Sequence, residues 1–189
     1  MEKRIGNYLI NVEEDNSPQS PRTWDNLGTM VCFHKNYNLG DKTDYRTEDY
    51  DSWDELKQGI LENEGEVVIL PLYLYDHSGI TISTTPFNCR WDSGQVGFIF
   101  ISKHKVKKEG IDESKVEGYL ENEVETYDQY LRGEVYGYTI SKVETCNLGH
   151  EHETELDSCW GFYGEENCMS EAEGIVAHYL EKENKEVVS

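Results

Sequence analysis

The segment Glu66-Val-Val-Ile-Leu-Pro-Leu-Tyr-Leu-Tyr75 is the most apolar run in a chain whose mean hydropathy is −0.73. A chain this polar has few places to start a core, and this run, β-branched at its beginning, predicts a central strand. Pro71 interrupts it. Proline has no N–H to give to a ladder, so that position is expected at a bulge or a free edge. Residues 3–12, Leu27–His34, Gly79–Thr84, Gln95–Ser102, Glu134–Val143 and Cys159–Tyr163 read as further strands, with Asp92-Ser93-Gly94 as turn chemistry ahead of Gln95.

Helical signals are fewer. Ser52 and Glu55 match a capping box, and Trp53, Leu56, Ile60 and Leu61 have helical spacing, which predicts a helix over 52–64. Val116, Leu120, Val124, Tyr127 and Leu131 form an apolar stripe over 113–132, and a closing helix is expected from Ser170 to Lys182. The acidic stretches 41–51 and 144–157 read as loops, and 183–189 as a frayed tail. No segment repeats at a fixed period. The expectation is a single α+β domain over 1–189, with a mostly antiparallel sheet and about three helices.

Charge limits the function classes. The 189 residues include 38 Asp and Glu against 17 Lys and Arg, a formal net charge of −21. Such a surface repels phosphate, which argues against direct nucleic-acid binding and against anionic membranes. No apolar run approaches the roughly 20 residues that span a bilayer, and the N-terminal residues lack the apolar core of a signal peptide. A cytoplasmic protein is expected. The 13 Tyr, 5 Phe and 4 Trp supply enough packing surface for a folded domain. Five widely spaced cysteines with no C-x-x-C pair fit reduced thiols.

The charge is unevenly spread. Residues 1–108 hold 17 acidic and 12 basic side chains, whereas 109–189 hold 21 and 5. Glu113, Glu117, Glu121 and Glu125 recur every four residues, with Asp128 one turn further on. Each four-residue step rises about 6 Å, close to the ~7 Å between phosphates implied by B-DNA dimensions. Like charges at this spacing weaken a helix by roughly 0.2–0.5 kcal/mol per pair, so a purely structural helix would interleave lysines. Asp44, Glu48, Asp49 and Asp51 form a second acidic patch.

Other chemistry is weaker. Cys146, His150, His152 and Cys159 fall in a C-x3-H-x-H-x6-C pattern that matches no standard zinc spacing, so neither a metal nor another cofactor is expected. Asp76-His77 and Cys89 suggest a Cys–His pair but lack a supporting motif, and no glycine loop, G-x-S-x-G or H-E-x-x-H is present. No catalytic residues are assigned. The aromatic series from Trp53 to Tyr163 is mostly core by its spacing, and any Tyr or Trp left on a sheet face beside acidic residues would suit the anchoring of a protein partner.

The strings Leu70-Pro-Leu-Tyr-Leu-Tyr-Asp-His-Ser-Gly-Ile80, Trp91-Asp-Ser-Gly-Gln-Val-Gly-Phe-Ile-Phe-Ile-Ser102, Val124-Glu-Thr-Tyr-Asp-Gln-Tyr-Leu131, Gly133-Glu-Val-Tyr-Gly-Tyr138 and Asp157-Ser-Cys-Trp-Gly-Phe-Tyr-Gly164 resemble small acidic proteins carried by phages and mobile elements of Gram-positive bacteria. The resemblance covers roughly residues 66–165 and brings no catalytic motif. It implies the setting of antirestriction and anti-CRISPR proteins acting in the bacterial cytoplasm. Joined to the charge pattern, it gives the expectation of a non-enzymatic DNA mimic. Glu113, Glu117, Glu121, Glu125, Asp128, Asp44, Glu48, Asp49 and Asp51 would meet a basic nucleic-acid-binding protein, either a CRISPR effector nuclease of type II or a restriction enzyme. The alternatives are an interaction adaptor whose charge serves solubility and, behind it, a small metal-dependent enzyme. A homodimer is compatible with the sequence but not demanded by it.

Overall fold

The computed structural model describes residues 1–89 and 91–187, without the side chains of Glu186 and Val187. Its elements are β1 (Glu2–Ile5), β2 (Tyr8–Glu14), β3 (Thr29–Cys32), α1 (Trp53–Glu64), β4 (Val67–Asp76), β5 (Ile80–Ser83), β6 (Ser93–Ser102), α2 (Lys103–Lys108), α3 (Val116–Leu131), β7 (Val135–Thr145), β8 (Glu151–Tyr163) and α4 (Glu165–Val187). The class is α+β, and both sheets are antiparallel. The chain divides into a central unit, Ser20–Arg132, and a terminal unit that joins Met1–Gln19 to the chain from Gly133.

The central unit is a sheet of order β3-β6-β4-β5. β4 is interior, as its composition requires, and β6 is equally so. Alternation along β6 sends Ile99 and Ile101 to one face and Phe98 and Phe100 to the other. α3 covers the first face with Val116, Leu120, Val124 and Tyr127, and α1 covers the second with Leu56 and Ile60. Each fully buried aliphatic side chain contributes about 1.5–3 kcal/mol. Pro71 pairs with Phe98, beside a shift in the ladder at Leu72/Tyr73, and β5 flanks β4 only from Tyr73 onward. The missing N–H therefore falls where no second strand lies alongside. Gly97 is needed because a Cβ there would sit 1.8 Å from the Val31 carbonyl oxygen on β3.

The Ser52 hydroxyl accepts the Glu55 N–H at 3.2 Å, and the Glu55 carboxylate accepts the Asp51 N–H at 2.8 Å, so α1 begins where the capping pattern placed it. The helix expected from residue 113 begins as a 3-10 turn, Glu113–Lys115, and becomes α-helical at Val116. The described residues form the three expected α-helices and a further short one, Lys103–Lys108, which the Ser102 hydroxyl caps and whose Val106 is buried.

In the terminal unit the order is β1-β2-β7-β8, with α4 on one face. Tyr8, Ile10, Val12, Tyr138 and Ile140 pack against Cys168, Met169, Ala172 and Val176. The strand expected over 3–12 is a hairpin, turned at Gly6, whose φ is +60°. The loop expected over 144–157 is mostly strand. β7 runs to Thr145 and β8 starts at Glu151, leaving a short turn between. An edge strand exposed on both faces needs no apolar alternation, so its polar sequence conceals it. The tail expected from 183 is helical through Val187, and Glu183 meets Lys142 at 2.7 Å. Residues 188 and 189 lie outside the described residues.

Candidate functional site

Several acidic side chains of the central unit hold the fold together. The Arg22 side chain is only 4% exposed. Its guanidinium donates to both carboxylate oxygens of Asp41 at 2.8 and 2.6 Å, to Glu123 at 2.9 Å and to the Gly28 carbonyl at 2.8 Å. Glu123 in turn accepts the N–H groups of Leu27 and Gly28 at 2.7 and 3.1 Å, and Asp41 accepts that of Met30 at 2.8 Å. Burial by itself lowers the Arg22 pKa, but hydrogen bonds and charge from Asp41 and Glu123 outweigh it and the net shift is upward. A buried charge of this kind is tolerable because two carboxylates and a carbonyl accept its hydrogen bonds.

Two members of the expected glutamate row belong with this structural set. Asp128 is buried, accepts the Ile82 N–H at 2.8 Å and pairs with Arg132 at 3.3 Å, so it presents no free carboxylate to a partner. Glu113 stands in the 3-10 turn, outside the α-helical register, and pairs with Lys103 at 3.0 Å. Its hydrogen bond and charge, with help from Glu66, raise the Lys103 pKa. What remains is Glu117, Glu121 and Glu125, all exposed and without an ion pair among the described residues. They step along α3 at about 6 Å intervals.

Asp44, Glu48, Asp49 and Asp51 are also exposed, the middle two on a 3-10 turn. The structure does not bring this patch to the glutamate row. Asp128, on the glutamate flank of α3, reaches Ile82 of β5, whereas the acidic segment departs from the Val31–Gly40 bridge beside β3. β3 and β5 are opposite edges of the sheet.

A third acidic row falls within the 144–157 stretch expected as a loop. The β7–β8 register puts Glu151, Glu153 and Glu155 opposite Thr145, Val143 and Ser141, hence on one face of an edge strand. The E-x-E-x-E alternation is a period-two signal that could have revealed it.

The remaining candidates disperse. Cys146 opens the β7–β8 turn, accepting the Gly149 N–H at its carbonyl, while His152 and Cys159 are seven residues apart on β8, roughly 23 Å along an extended strand. Backbone N–H groups of Leu148 and His150 lower the Cys146 pKa. No group of three metal-ligating side chains occurs among the described residues. Cys89 Sγ and His77 Nδ1 both face Asp92 Oδ2, at 3.7 and 3.3 Å, so the thiol donates to a carboxylate and not to the imidazole that a Cys–His pair requires. Most aromatic residues are core, as their spacing suggests. Trp24 and Tyr119, 49% and 44% exposed, instead flank a groove of about 510 Å³ that includes Leu27 and Ile111.

No family model matches the chain, and no similar curated protein or solved structure was found. No helix among the described residues is long and apolar enough to cross a membrane.

Proposed function

We propose that this protein is a non-enzymatic inhibitor of a bacterial defence nuclease, an RNA-guided effector or a restriction enzyme, and that it occupies a basic nucleic-acid groove as a DNA mimic. The observation that carries this reading is the contrast within the central unit. Asp41, Glu123 and Asp128 are internal and partnered, whereas Glu117, Glu121 and Glu125 are exposed and unpaired among the described residues at a near-phosphate interval. Arginine and lysine side chains that hold phosphates pair equally well with carboxylates. The whole-protein charge of −21 would steer such an encounter and make it salt-sensitive. The test is E117Q/E121Q/E125Q against purified nucleases of both classes. Loss of binding and of inhibition is expected, and retention of both by the folded variant overturns the reading.

The Trp24–Tyr119 groove favours a second reading, an adaptor held by apolar contacts. Binding that persists at 1 M salt, where the Debye length is about 3 Å, selects it.

A further inference from the structure

Strand β8 is the outer strand of its sheet, so one row of its backbone N–H and C=O groups has no ladder partner among the described residues. Its solvent exposure is nearly continuous from Glu151 to Gly161. The register is regular from Thr145↔Glu151 to Ser141↔Glu155 and shifts only after that, between Ile140 and Ser141 and again between Tyr136 and Gly137. The segment 151–155 is therefore an uninterrupted stretch of open edge. Its acids share a face with Ser158 and Trp160, since the facing residues of β7 are Thr145, Val143, Ser141, Thr139 and Gly137. Trp160 lies over Gly137, where a Cβ would come within 2.1 Å of the indole, and it remains 49% exposed.

We propose that the open edge of β8 over Glu151–Glu155 docks an extended, lysine- or arginine-rich segment of another protein by strand addition. Main-chain hydrogen bonds to the edge supply the affinity, and alternate side chains on the carboxylate face supply the selectivity. Arg4 already engages Glu151 at 2.9 and 3.2 Å. Glu153 and Glu155 have no ion pair among the described residues and are the recognising groups. They stand about 6.7 Å apart along the strand, the interval at which alternate side chains of an added strand recur. Acidic side chains and bulges protect an edge against neutral or acidic strands, yet the same carboxylates attract a basic one. A second copy of this chain is the wrong occupant. The terminal unit has 17 acidic and 5 basic residues and would meet itself with like charge. The inference does not rest on the nuclease reading, because it uses a different surface and a peptide ligand.

The experiment titrates the full isotope-labelled chain with a blocked decapeptide of alternating Lys and Val, followed by NMR. A second peptide carries N-methyl groups on all its central amides, keeping charge and losing donors. Amide shifts and slowed hydrogen exchange confined to residues 151–155 and their neighbours are expected with the first peptide. The methylated peptide and the E153Q/E155Q variant should each bind about tenfold more weakly or worse, while E117Q/E121Q/E125Q binds the peptide unchanged. Equal binding by the methylated peptide overturns the proposal, and so does a dimer that shields the β8 amides. Should E153Q/E155Q fail to fold, the comparison of the two peptides on the unaltered protein still decides. Failure here leaves the α3 row and its nuclease test untouched, and the converse also holds.

Discussion

The two units use the same side chains in opposite ways. The central unit has 21 acidic and 12 basic residues and draws three of its carboxylates inside, two onto Arg22 and one onto the Ile82 N–H. The terminal unit has 17 acidic and 5 basic residues, and pairs such as Lys3–Glu173, Arg4–Glu151 and Lys142–Glu183 lie at the surface. Acidity is thus not one property of this chain. Inside the central unit it is a fastening whose removal leaves an opposite charge stranded, and on the terminal unit it is a field with little structural duty.

Breaking the fastening gives the largest expected effect. Arg22→Ala leaves Asp41 and Glu123 buried without their cation and should destabilise the central unit by about 3–5 kcal/mol. Arg4→Ala, the same change of charge on the terminal unit, should barely move the midpoint of a urea titration. If the two variants unfold alike, the contrast between the units fails. Asp128→Ala comes next, at about 1.5–3 kcal/mol for a lost hydrogen bond to a charged acceptor, read from the same denaturation curves.

The exposed glutamates should behave in reverse. Replacing Glu117, Glu121 and Glu125 with Gln relieves two like-charge contacts at i,i+4 and should stabilise the helix by roughly 0.4–1 kcal/mol. A loss of stability on calorimetry would move these residues into the structural set.

The smallest effects concern thiols. Burial pushes Cys32 up to about 12 and Cys168 up to about 11, whereas the Cys146 value is lowered. Native protein at pH 8 should therefore label first at Cys146 and at exposed Cys159, and at Cys32 and Cys168 only after unfolding, which peptide mass mapping can resolve. A raised folded value means that the stability is whole below the ordinary thiol value of 9.0 and declines as pH rises toward 11–12. Alkaline unfolding that starts well below pH 9 would point to a different group.

Legibility in the sequence follows the physical demand on each segment. α1 was readable because a helix start has local chemistry, Ser52 and Glu55, and because its buried side chains recur at helical spacing. β4 and β6 were readable because interior strands must be apolar. β8 was not, since an outer strand takes its structure from β7 and can be polar throughout. Four lysines hid α2, whose one buried anchor is Val106. The glutamate register on α3 was visible, but the partners that remove two of its members were not. Asp128 bonds to a residue 46 positions away, and Lys103 lies on another helix. Glu123 carried no sequence signal at all, because Leu27, Gly28 and Arg22 are distant in the chain.

The terminal unit is assembled from both ends of the described chain, which has a consequence for its birth on the ribosome. Glu14 of β2 pairs with Tyr136 of β7, about 120 residues later. At 5–20 residues per second that separation is roughly 6–24 s of translation. Throughout that interval the first hairpin has emerged with one side bare, and the sequence between supplies the contiguous central unit. The charged residues Glu13 and Glu14 at the end of β2 face water during that wait, which suits a nascent strand that must stay soluble until its partner arrives.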